Sequence, residues 1–138
     1  MRKSLKKKNI QYPDSLIYKN KLEEKGSVTI SVFKYNEINF EEKHYPSIDK
    51  APLEIPEESI LWLNIDGIHQ QEVIEKIGRN FHLHDLVQED ILEPNQRPKL
   101  EDHGKYIDTL LKMIYLNESR TEIMSEQISI IFGKNWVV

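Results

Sequence analysis

The stretch that most constrains this chain is Ile60-Leu61-Trp62-Leu63-Asn64-Ile65, apolar at both odd and even positions and closed by Gly67. An alternating segment would suit a half-exposed strand, whereas a run apolar at both parities suits a central strand covered on both faces. No uninterrupted apolar string in the 138 residues is longer than the four from Ile60 to Leu63. A bilayer-spanning helix needs about 18 or more, so this chain is expected not to cross a membrane itself. With 38% apolar residues, the length is that of one ordinary domain.

Around that strand the sequence divides into recognisable elements. Val28, Ile30 and Val32 alternate with Thr29, Ser31 and Phe33 after Gly26, which predicts a β-branched strand. Phe40 to Tyr45 resumes as a more polar extended segment, the exposed second strand of a hairpin. Pro46, Pro52 and Pro56 then limit the stretch to Glu58 to a loop with at most one helical turn. Val73, Ile74, Ile77 and Phe81 recur at helical spacing behind Glu72, and a second, short acidic helix is expected from Asp85 to Leu92, closed by Pro94. Tyr106 to Tyr115 and Gln127 to Phe132 are predicted strands joined by a polar turn at Asn117 to Thr121. Trp136, Val137 and Val138 begin a further strand after the turn at Gly133 to Asn135. An apolar strand starting three residues before the terminus is expected to leave a ladder edge unpaired, so the sequence looks truncated. Trp62, Tyr106 and Trp136 are expected in the core.

Charge is unevenly placed. Five cations and no acid fall in the first nine residues, so the formal net charge of −4 becomes −9 over the other 129. The basic start has no apolar stretch behind it, which excludes a secretory signal and predicts a short mobile tail over residues 1–14, with no claim on nucleic acid. The absence of cysteine excludes disulfides, thiolate metal sites and cysteine nucleophiles. Any metal must be held by oxygen or imidazole.

The acids concentrate between Leu83 and Asp102, where Asp85, Glu89, Asp90, Glu93, Glu101 and Asp102 face only Arg97 and Lys99. On a helix, Asp85, Glu89 and Glu93 form a like-charge row, each neighbouring pair costing about 0.2–0.5 kcal/mol. Glu89, Asp90 and Glu93 also crowd the helix C-terminus, which already carries partial negative charge. A hard divalent ion such as Mg²⁺, which keeps most of its water and uses one or two carboxylates, would relieve both penalties at Glu89-Asp90. A solvated acidic face partly neutralised by Arg97 and Lys99 satisfies the same spacing. His69, His82 and His84 lack the spacing of a zinc hydrolase and are assigned to capping or surface roles. No nucleophile elbow or phosphate-binding glycine loop is present, so no catalytic residue is assigned.

Glu89-Asp90-Ile91-Leu92 followed by Gln96-Arg97-Pro98-Lys99 resembles the cytoplasmic amino-terminal domain of the CorA family of magnesium and cobalt transport proteins. Trp62-Leu63-Asn64-Ile65 with Gly67-Ile68-His69, Leu110-Leu111-Lys112-Met113, and Ser125-Glu126-Gln127-Ile128-Ser129 extend the resemblance in order over about residues 15–138. It implies an α/β domain of mixed α+β type, a mixed sheet between helical layers, cut before a stalk helix and two pore-forming membrane helices. It also implies a homopentamer in the inner membrane with this domain on the cytoplasmic side, and no enzymatic activity. The family's regulatory Mg²⁺ sites, to which Co²⁺ is an alternative, match metal ligands Glu89 and Asp90 here, completed by acids of the adjacent subunit. Alone, the chain is then expected to bind Mg²⁺ weakly and to be a monomer or a non-native dimer. Three other readings stand beside it: a related zinc transporter, a soluble metal-dependent hydrolase using Asp66, His69, His84 and Asp85, and an interaction module without metal.

Overall fold

The computed structural model describes residues 27–67 and 70–138. The basic start and His69 lie outside the described residues. Among the described residues seven strands and two helices follow in the order β1 (Thr29–Tyr35), β2 (Phe40–Tyr45), β3 (Ile60–Asp66), α1 (Gln71–Phe81), α2 (Asp85–Leu92), β4 (Lys99–Asp102), β5 (Ile107–Leu116), β6 (Ile123–Phe132) and β7 (Trp136–Val137). The proline-rich connection holds a single 3-10 turn, Ile48–Lys50, as its composition requires. No helix of the described residues is long and apolar enough to cross a membrane.

All seven strands share one mixed sheet in the order β2-β1-β3-β7-β6-β5-β4, antiparallel throughout except where β3 meets β7. Both edges carry charged strands, Phe-Glu-Glu-Lys-His-Tyr in β2 and Lys-Leu-Glu-Asp in β4, a composition that discourages pairing with a further chain. The expected α/β class is therefore present, and α2 has the bounds the sequence predicts. Strand β4 was not expected. Its four mostly polar residues have no periodicity of their own and become a strand through the register Lys99↔Leu110 to Asp102↔Ile107 with β5.

Two expectations are corrected. The terminal strand does not leave an open edge: β7 lies in the middle of the sheet, bonded on both sides. The Leu61 amide donates to the Asn135 carbonyl (3.0 Å), and Ile131 and Val138 exchange amide–carbonyl bonds of 2.8 Å each. Gly133 permits the preceding turn, because a Cβ there would sit 2.4 Å from the Trp136 indole nitrogen. Nor is β3 covered on both faces by the described residues. Leu61 and Leu63 are wholly inaccessible, yet Trp62 between them is 43% exposed, so of the three aromatics expected in the core only Tyr106 and Trp136 are there.

The reason is that both helices lie on one face. Val73, Ile74, Ile77 and Phe81 of α1 and Val87 and Ile91 of α2 join Ile30, Val32, Leu61, Leu63 and Ile131 in one buried cluster. Each such aliphatic side chain contributes roughly 1.5–3 kcal/mol through removal from water. A second helical layer, implied by the resemblance, is not among the described residues.

Candidate functional site

The acidic segment begins with a tight turn between the helices. His82 ends α1 in the left-handed conformation (φ 55°), and the Leu83 amide reaches back to the Gly78 carbonyl (2.9 Å). His84 then caps α2, its Nδ1 accepting from the Leu86 amide at 3.2 Å, while its own amide donates to the Tyr106 hydroxyl at 2.9 Å. Both histidines thus have the structural roles expected of them. Capping and an Asp85 in the first turn suit the positive end of the helix. Of the hydrolase quartet, His69 lies outside the described residues, and Asp66, His84 and Asp85 do not come together as a group of metal-competent side chains. Among the described residues the only group of three metal-competent side chains is a different one, Glu101, His103 and Asp108.

The other end of α2 carries Glu89 and Asp90. Two of its terminal carbonyls are met from the sheet, where Gln127 of β6 donates through Nε2 to the Asp90 (3.1 Å) and Ile91 (3.4 Å) carbonyls, and the Lys112 ammonium of β5 donates to the Pro94 carbonyl just past the helix. These donors fix the helix tip over the β4–β6 part of the sheet. Glu93 leaves the expected row, because its extended backbone ends the helix and its carboxylate accepts from the Asn95 amide (3.1 Å).

The two candidate ligands differ in surroundings. Glu89 is exposed and enters no ion pair among the described residues. Asp90, with its side chain 20% exposed, is paired with Lys99 of β4, which also reaches Glu101 at 2.8 Å. The Asp90 and Glu101 hydrogen bonds, in that order, hold the Lys99 ammonium well above the usual lysine range. Of the two cations that sequence suggests as neutralisers, Lys99 therefore relieves the crowding at Asp90. The site is left with one engaged and one unengaged carboxylate.

Beyond Lys99 the polar chain continues. Glu101 of β4 and Asp108 of β5 sit directly opposite each other, a like-charge pairing that destabilises an antiparallel ladder unless cations intervene. Asp108 is 2% exposed and hydrogen-bonded to Nε2 of His103, which stacks on Tyr106 with ring centroids 4.7 Å apart. The turn between the strands is tight, with the His103 amide on the Tyr106 carbonyl (3.0 Å) and Gly104 at φ +78°. Sequence reasoning passed over His103 and Asp108; their five-residue spacing across a glycine turn was the signal available.

Residues 57–138 match the family model described as CorA-like Mg²⁺ transporter protein, and the chain belongs to that family. The cobalt/magnesium transport protein CorA of Thermotoga maritima is 35% identical over 126 residues, which cover 91% of this chain. The aligned region is 35% of that relative's length, so the chain spans about a third of it.

Proposed function

We propose that this chain is the cytoplasmic sensor domain of a pentameric Mg²⁺/Co²⁺ channel of the inner membrane, a non-enzymatic role, with the domain proper over residues 15–138. Glu89 and Asp90 supply one half of a regulatory Mg²⁺ site, and acidic oxygens of a neighbouring subunit supply the other. The observation that supports this reading is the held position of the α2 tip. Its Asp90 and Ile91 carbonyls accept from Gln127 and the Pro94 carbonyl just beyond it from Lys112, while among the described residues Glu89 is exposed with no ion-pair partner beside an Asp90 paired with Lys99. Hard oxygen donors suit Mg²⁺, and two carboxylates with retained water are a common protein contribution to it.

When Mg²⁺ is abundant, ions bridging carboxylates of adjacent subunits offset their repulsion and favour the closed ring. When it is scarce, repulsion separates the subunits and the pore opens. Water-rich half-sites bind weakly one at a time, so the response arises from several acting together. The test is Mg²⁺-dependent protection of the intact membrane assembly from proteolysis. Asp90→Asn and Glu89→Gln are expected to move protection to higher Mg²⁺, and titrations superimposable on the parent would overturn the assignment.

A further inference from the structure

We propose that Glu101, His103 and Asp108 form a second metal site, separate from Glu89 and Asp90, that takes a borderline divalent transition ion such as Co²⁺, Zn²⁺ or Ni²⁺ in preference to Mg²⁺. One ligand atom from each residue lies within 4.8 Å of the other two, and Nε2 of His103 is the hub, hydrogen-bonded to Oδ1 of Asp108 and 4.0 Å from Oε2 of Glu101. Tetrahedral ligands at about 2.1 Å from an ion stand roughly 3.4 Å from one another. Small rotations that open the first contact and close the second therefore reach coordination geometry.

Three features make this a prepared arrangement and not a chance meeting of surface charges. Asp108 is almost wholly buried, on a strand position whose same-face neighbours are Leu110 and Ile131, so its carboxyl oxygens need polar partners, and His103 supplies one. The His103 ring is held by its stack on buried Tyr106, whose hydroxyl is anchored by the His84 amide. Glu101 faces Asp108 across the ladder, completing two carboxylates that repel until a cation lies between them.

The donor set decides the ion. Imidazole with two carboxylates suits Zn²⁺, Co²⁺ and Ni²⁺, whereas Mg²⁺ favours all-oxygen shells and parts reluctantly with water. On binding, the ion takes the place of the hydrogen between Nε2 and Oδ1, and the neutral ring then carries its one hydrogen on Nδ1. Glu101 turns from Lys99 to the ion, leaving Lys99 to Asp90 alone. This inference does not rest on the Mg²⁺ reading of the helix tip.

The experiment is a Co²⁺ titration of the 138-residue chain, followed by calorimetry and visible absorption, with Zn²⁺ and Mg²⁺ as competitors. One Co²⁺ per chain is expected, displaced by Zn²⁺ and retained in large Mg²⁺ excess. His103→Gln and Glu101→Gln should each weaken binding by about tenfold or more, while Glu89→Gln at the helix tip, which has no contact with Lys99, leaves it unchanged. Circular dichroism checks the fold, and exposed Glu101→Gln decides the matter should the histidine variant not fold. Absent binding, binding indifferent to Glu101→Gln in the folded protein, or loss in the helix-tip variant alone would each overturn the assignment.

Discussion

The two faces of the sheet are made from the same strands and have opposite fates. On one, Ile30, Val32, Leu61, Leu63 and Ile131 are sealed beneath α1 and α2. On the other, strand register aligns Phe33, Trp62, Val137, Phe132 and Ile107 in a row that crosses five strands, with Trp62 and Phe132 exposed. Along this row residue type does not separate the faces, since its members are as apolar as those sealed opposite. What separates them is the presence of a layer of helices, and this is why a run apolar at both parities ends half-covered within the described residues.

The largest expected effect tests the sealed side. Leu63→Ala should lose about 2–5 kcal/mol of unfolding free energy in urea, because the side chain is wholly buried in the cluster between helices and sheet and its removal leaves a cavity there. Next comes the polar border of that face. Lys99→Met should cost about 1–2 kcal/mol, as two carboxylates lose a shared, three-quarters-buried cation. Trp62→Ser should cost about 1 kcal/mol, mostly through its ring contact with Phe33 at 4.9 Å, and should reduce binding of a hydrophobic dye. If Trp62→Ser matched Leu63→Ala in cost, the contrast between the faces would be broken. The smallest effect is alkaline. Because the folded state holds the Lys99 proton more tightly than the unfolded chain, its stabilisation is complete below about pH 10.4 and declines above it. Lys99→Met should abolish that part of the decline in a pH series of urea midpoints.

Much of this was legible in the residues and the limits have physical causes. Alternation in Val28 to Phe33 and helical spacing in Val73 to Phe81 reflect local periodicity, which a single segment carries within itself. The bounds of α2 are equally local, a cap at one end and Pro94 beyond the other. Strand β4 and the placement of β7 are properties of pairing between distant segments, and no window of sequence contains them. The helix-tip acids stand out because charges cluster along the chain. His103 and Asp108 do not, since their chemistry comes from burial and a cross-strand register that exists only once the hairpin has formed.

Strand β7 has a consequence for how the molecule is made. Within the ladder of the described residues, the block β2-β1-β3 and the block β6-β5-β4 are joined through Trp136–Val137 and its flanking bonds. As a ribosome delivers the chain from its amino end, each block can zip up on its own, but the flanks of β3 and β6 stay bare until residues 136–138 emerge to splice them. The interval before that moment is when newly made copies are most open to mispairing with one another.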